Sequence, residues 1–450
     1  MPSIFAEQAL LPKGWERDVR IEMTDGRIAS VETGARPQAD DDRQTAVVSG
    51  MPNLHSHAFQ RGMAGLAEVR GSGADSFWSW RDVMYRFALS MTPEQVEAVA
   101  SQLYIEMLEA GFTRVGEFHY LHHDRDGQPY SNIVEMADRI AAAASATGIG
   151  LTLLPVFYAH SGFGGQPPHE GQRRFVNDLN RFQLLFEKCR ESVRNLNQGV
   201  IGVAPHSLRA ATPKELAELQ NLAPDAPFHI HIAEQTKEVE DCIAWSGQRP
   251  VEWLLANSDM NARWCLIHAT HMTEEETTGM ARSGAVAGLC PVTEANLGDG
   301  TFPASVFRAH GGSYGIGSDS NVLIGLADEL RQLEYSQRIA LRARNIIAEP
   351  GRSTGRALFD ETLAGGSQAL GVSAASIAPG AAADLVSLDL SYPGLDGISG
   401  DEILDALTFA GRVETDCVWV GGQKLVSEGR HVQREAVAAR FRIAMRELTS

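Results

Sequence analysis

Short apolar runs punctuate the middle of the chain: "TAVVSGMPNLH", "FTRVGEFHY", "IGLTLLPVFY", "GVIGVAPHS", "PFHIHIAE", "WCLIHATH", "GAVAGLCPV" and "SYGIGSDS". Each has the length of a buried strand, and segments with helical periodicity lie between most of them. Three of those segments open with a capping box, Thr92 with Gln95, Thr212 with Glu215 and Thr273 with Glu276. In this motif two side chains satisfy the free backbone N–H groups of a first helical turn. After the first box, Val96, Val99, Ala100, Leu103 and Met107 share one helical face, and Gly111 ends the run. Eight strands alternating with helices predict an α/β fold, a (β/α)8 TIM-like barrel over residues 48–365.

The two ends of the chain have a different texture. "DVRIEMTDGRIASVET" alternates polar and apolar around Asp25-Gly26, the pattern of a tight hairpin. "AAADLVSLDL" and "DCVWVGGQKLVSEGR" repeat that alternation near the C-terminus, the latter folding about Gly421-Gly422. Residues 1–47 and 366–450 are therefore expected to build one composite β-sandwich domain beside the barrel. No G-x-G-x-x-G follows a strand, so no dinucleotide site is expected. The longest irregular stretch, "SGFGGQPPHEGQRR" at 161–174, follows the third strand, where a barrel carries a lid or substrate loop.

Composition narrows the partners. A formal net charge of −18 over 450 residues argues against nucleic acid or an anionic membrane as the main partner. A small anionic substrate would need locally placed arginines. The five cysteines are scattered without a C-x-x-C pair, which suits a reducing cytoplasm. The start "MPSIFAEQALLPKGWE" lacks the charge and apolar pattern of a secretion signal, and no apolar run approaches a membrane span.

Barrel active sites gather where strands end and βα loops begin. The polar residues there are His55 and His57 on the first strand, then Glu117, His119 and Tyr120 on the second. His206 follows on the fourth, His231 and Glu234 on the fifth, His268 on the sixth and Asp319 on the eighth. Neutral imidazoles with one carboxylate suit Zn²⁺ or Fe²⁺, whereas Mg²⁺ and Ca²⁺ prefer oxygen shells. Taken singly, each residue also fits a plainer role. An isolated H-x-H packs in a barrel core as readily as it binds metal, His229 sits deeper than His231, and Asp319 could cap a helix. The agreement of several strand ends favours a metal site.

"PNLHSH", "HIHIAEQ", "LIHATH" and "GIGSDSN" resemble the metal-binding signatures of the amidohydrolase superfamily. Their order resembles its mononuclear deaminase branch, and "ADLVSLDL" resembles the superfamily's terminal β-domain. Within that branch, "NLHSHAFQRGMAG", "RDVMY", "GEFHYLHH", "APHSLRA", "HIAEQ" and "CPVTEANLGDG" together resemble the formiminoglutamate deiminases of histidine catabolism. The resemblance implies one metal, zinc or alternatively iron(II), on His55, His57, His231 and Asp319. It implies catalytic roles for Glu234 as proton shuttle, for His268 beside the attacking water and for Asp319. It further implies homodimers and substrate contacts from Gln60, Arg81, Tyr120, His206 and Arg209. None of the lysines Lys13, Lys188, Lys214, Lys237 and Lys424 ends the fourth strand, which excludes a bridging carboxylated lysine. Cys290-Pro291 has no second cysteine, so the cytidine-deaminase design does not apply.

The expected reaction is hydrolysis of N-formimino-L-glutamate to N-formyl-L-glutamate and ammonia. Its two carboxylates call for fork-shaped guanidinium donors, Arg81 and Arg209. The aromatic first loop, with Phe77, Trp78, Trp80 and Tyr85, keeps a guanine- or cytosine-type deaminase as the rival enzyme. An inactive barrel scaffold is the non-enzymatic rival, and the full ligand set stands against it.

Overall fold

The computed structural model describes residues 2–70 and 77–450. Eight strand positions form the barrel in the expected order: Met51–Ser56, Phe112–His119, Gly150–Phe157, the pair Val200–Ile201 and Ala204–Pro205, Phe228–Ile232, Trp264–His268, Val286–Leu289 and Ser313–Ile316. Neighbours pair in parallel, and the two remaining gaps close through the bridges Val203↔Phe228 and Ser56↔Asp319. All three predicted capping boxes are present, on helices Pro93–Glu109, Pro213–Leu222 and Glu274–Ser283. No helix among the described residues is long and apolar enough to cross a membrane.

Two apolar runs depart from expectation. "TAVVSGMPNLH" is two strands, because Asp42–Ser49 pairs with Ser3–Leu11 and Leu385–Asp389 outside the barrel. The chain crosses between sheets at Gly50, where a Cβ would lie 2.2 Å from the Thr113 side chain. The fourth run breaks at Gly202-Val203 because its backbone changes partners there. Gly202 donates to Leu153 on the third strand, whereas Val203 donates to Pro227 beside the fifth.

Both chain ends join in one eight-stranded sheet. Its order is Arg430–His431, Gln423–Ser427, Glu414–Val420, Leu385–Asp389, Asp42–Ser49, Ser3–Leu11, Gly14–Thr24 and Arg27–Glu32. The sheet folds over on itself, so that Arg27 bridges Ala382 and the Asp25-Gly26 turn meets Gly421. Ile4, Val19, Ile21, Val47, Leu385 and Trp419 fill the space inside.

Two features frame the barrel interior. At the strand starts, helix Thr354–Ala369 closes the barrel: Gly366 meets Pro52, and the Ala369 carbonyl accepts a 2.7 Å bond from buried His229. At the opposite end, fully buried Arg174 ties three βα loops together. It donates to the carbonyls of Ala88, Met91 and His123 and to the Tyr130 hydroxyl. The 161–174 segment is thereby anchored as part of the wall.

A Cβ on Gly365 would lie 2.0 Å from the Tyr314 carbonyl oxygen, and neither helix nor strand backbone can yield that distance cheaply. Gly365→Ala is therefore expected to destabilise the fold by about 1–3 kcal/mol. Urea unfolding measures this, and a midpoint equal to wild type would contradict the close seating of the helix.

Candidate active site

Strand alternation turns His55 and His57 toward the same side, at the mouth of the barrel. His57 donates from Nδ1 to the Phe118 carbonyl at 3.0 Å, and His231 donates from Nδ1 to the His206 carbonyl at 3.1 Å. Those bonds set the tautomer, so both Nε2 atoms present lone pairs to the centre. His231 Nε2 lies 3.0 Å from His55 Nε2. Asp319 Oδ1 lies 3.1 Å from His57 Nε2 and 3.5 Å from His55 Nε2. Asp319 reaches this position from a left-handed backbone, φ 45°.

This donor set fits a tetrahedral divalent ion. Ligand bonds of roughly 2.0–2.1 Å place tetrahedral donors about 3.3 Å apart, and the separations here bracket that value. Burial pushes His55 down to about 3 and His231 well below the usual imidazole range, leaving both in the neutral form that binds metal. Burial opposes the charge on Asp319, but the adjoining imidazoles of His55 and His57 hold its carboxyl well below the usual range. The four ligands named by the family resemblance are thus brought together.

His268 stands beside them, also from a left-handed backbone, with φ 67°. Its Nε2 is 3.8 Å from Asp319 Oδ2 and 4.0 Å from Glu234 Oε1. Its Nδ1 lies 3.2 Å from Glu294 Oε1. Burial disfavours the imidazolium, yet Glu234, Glu294 and Asp319 outweigh it and push His268 up to about 10. A bound cation would oppose that rise. Burial pushes Glu234 up to about 7. Glu294 escaped the sequence reading, although it lies within the quoted "CPVTEANLGDG". It accepts the Cys290 N–H at 2.9 Å, four residues back, and holds the face of His268 turned away from Asp319.

A cavity opens over this group, and Gln60, Arg81, Tyr120, His206 and Arg209 all line it. Gln60 donates to the Tyr120 hydroxyl at 2.9 Å. Arg81 lies over the rings of Trp78 and Tyr85, at 4.5 and 5.5 Å from their centroids. Two of the first-loop aromatics therefore carry a guanidinium, which accounts for them without a stacked base. Arg209 is half-buried, its Nε 3.9 Å from Glu238 Oε1. Burial opposes its charge, and Glu238 and Glu234 raise its pKa nonetheless.

The structure also shows which strand-end residues stay outside. Phe118 packs against the rings of His55 and His231, which leaves Glu117 and His119 facing the other way. Glu117 accepts the Ala58 N–H at 2.6 Å and so holds the turn after His57. His119 packs against His122. Tyr158 and Phe175 line the cavity and were not anticipated. Tyr158 directly follows the third strand, where the strand-end rule would have found it.

Residues 46–425 match the Amidohydrolase family, and residues 1–45 match the N-terminal domain of formimidoylglutamate deiminase HutF. The chain belongs to the amidohydrolase family. This amidohydrolase is 52% identical over 453 residues to the formimidoylglutamate deiminase of Pseudomonas aeruginosa, with 100% of each chain covered. It superposes on the crystal structure of an amidohydrolase from Brucella melitensis with a TM-score of 0.98 and 63% identity, again over 100% of each chain. An adenosine deaminase from Xanthomonas campestris with bound zinc shares the fold, with a TM-score of 0.83, 21% identity, and 99% and 98% of the chains covered.

His231→Ala removes the imidazole whose Nε2 lies 3.0 Å from that of His55. The purified variant is expected to lose its bound metal, as read by atomic emission. Retention of a full metal complement would dismiss this amidohydrolase's four-residue set.

Proposed function

We propose that the chain is a metal-dependent hydrolase that converts N-formimino-L-glutamate and water to N-formyl-L-glutamate and ammonia, a step of histidine degradation. The observation that carries this reading is the full-length likeness to a formimidoylglutamate deiminase. The site adds chemistry in its favour: two guanidinium groups share one cavity with a four-residue metal set, which suits an anionic, linear amidine. Zinc is the proposed ion, with iron(II) able to use the same three-imidazole, one-carboxylate set. The five cysteines are free and buried, in keeping with a reducing cytoplasm. Pairing into homodimers follows the family resemblance alone.

When bound, such an ion lowers the pKa of coordinated water and supplies hydroxide near neutral pH. The remaining roles fall to side chains. His55, His57, His231 and Asp319 hold the ion. His268 and Asp319, 3.8 Å apart, orient the nucleophile and accept its proton. Attack forms a C–O bond at the formimino carbon. Glu234, with a pKa near 7 and a carboxyl 4.0 Å from His268, carries a proton to the imino nitrogen. That C–N bond then breaks, ammonia departs, and the carbon keeps its bond to the glutamate nitrogen as a formyl group. Glu294 steadies His268 from behind. Arg81 and Arg209 bind the carboxylates, while Gln60, Tyr120 and His206 contact the formimino end.

Ammonia release from formiminoglutamate, formiminoaspartate, guanine and cytosine tests the assignment directly. Turnover is expected to be fastest with formiminoglutamate, and a preference for either ring would overturn the reading. Glu234→Gln removes the proton carrier while keeping its shape. It is expected to retain bound metal and lose roughly 10²–10⁴-fold in kcat. A near-normal rate would remove Glu234 from the mechanism.

A further inference from the structure

Gln172 is 1% exposed and sits at the inner end of the 161–174 segment. Its Oε1 accepts the His169 backbone N–H at 2.8 Å. A backbone N–H only donates, so this bond fixes which end of the amide is oxygen. Nε2 must then donate to both of its neighbours, the hydroxyls of Tyr158 at 2.7 Å and Tyr85 at 3.3 Å. Both phenols line the cavity with Arg81 and Arg209. They belong to different loops, Tyr85 to helix Phe77–Ser90 and Tyr158 to the end of the third strand.

Hydrogen counting gives the consequence. Each phenol oxygen already accepts from Gln172, so each hydroxyl hydrogen needs an acceptor elsewhere. Neither hydroxyl donates to a protein acceptor at hydrogen-bond distance among the described residues. Both phenols line the cavity, so a hydroxyl hydrogen is available to a ligand there. Burial pushes Tyr158 well above its ordinary range, so this hydrogen is retained across physiological pH. Gly171 adds rigidity, because a Cβ there would lie 3.1 Å from the Tyr85 ring.

We infer that Gln172 is a positioning residue that turns the Tyr85–Tyr158 pair into a hydrogen-bond donor for a substrate carboxylate, beside Arg81 and Arg209. The inference rests on the formiminoglutamate reading and adds a specificity device to it. Gln172→Met preserves volume and removes the amide, whereas Tyr158→Phe removes only a hydroxyl. Loss of a hydrogen bond to a charged group predicts a rise in KM for formiminoglutamate of about tenfold to a hundredfold in each variant. The value of kcat is expected to stay within about threefold and bound metal to be unchanged, since neither the ion nor the proton carrier is touched. The double variant is expected to show a KM no higher than the worse single variant, because both changes disable one donor.

A loss confined to kcat, a KM within about twofold of wild type in both single variants, or fully additive effects would overturn the inference. A wild-type chain that releases no ammonia from formiminoglutamate would overturn the functional reading and this inference with it. A wild-type chain that does, beside variants with unchanged KM, would overturn this inference alone.

Discussion

The closure of the eighth barrel strand onto the first is the contact on which the rest of the site depends. A parallel barrel has no free edge only if its last strand finds its first, and here that seam is short. It consists of the bridge Ser56↔Asp319, the bond from Asp319 N–H to the His55 carbonyl and the bond from His57 N–H to the Asp319 carbonyl. Side chains reinforce it: Asn53 bonds with Ser318, Ser318 donates to Asn321, and Asn321 donates to Ser56 and to the His57 carbonyl. Three of the four side chains of the donor set grow from this seam. The left-handed conformations of Asp319 and Asn321 are disfavoured for residues with a Cβ, and they persist because this network over-determines them. Closing the barrel and assembling the donor set are one event.

Electrostatics explains why such a centre is stable only as a set. Burial keeps His55 and His231 neutral, while Glu234, Glu294 and Asp319 surround His268 with acidic groups. Burial also pushes Asp299 up to about 8, where it bonds with Gln235, next to Glu234. A divalent cation offsets that local excess of carboxylate. Farther out the sign reverses: in a chain of formal charge −18, Arg81 and Arg209 make a cationic end to the cavity. A substrate with a neutral or cationic amidine head and an anionic tail matches that division.

Much of this was legible in the residues. Strand lengths, helical spacing and capping boxes are local properties, so the barrel and its strand order could be read directly. The candidate ligand set could be picked out because His55, His57, His231 and Asp319 combine an uncommon chemistry with strand-end positions, and the structure brings their ligand atoms together. What stayed hidden depends on partners distant in sequence. Nothing local says that Asp42–Ser49 prefers Leu385–Asp389 to the barrel, or that Val203 turns from the third strand to the fifth. Strand-end polarity alone also failed to separate Tyr120, which faces the cavity, from Glu117 and His119, which do not. Glu294 and Gln172 act through contacts with His268 and the two phenols, and no periodicity marks such contacts.

The crossing at Gly50 has a consequence for how the chain matures. Strand Asp42–Ser49 leads directly into the strand that bears His55 and His57, yet one of its edges is covered only by Leu385–Asp389, more than three hundred residues later. During synthesis from the N-terminus, the first four strands can pair among themselves while that edge stays open. An open strand edge invites pairing with other chains. Solubility on the ribosome therefore depends on how long the C-terminal strands take to arrive, and slow translation of the intervening barrel would lengthen that exposure.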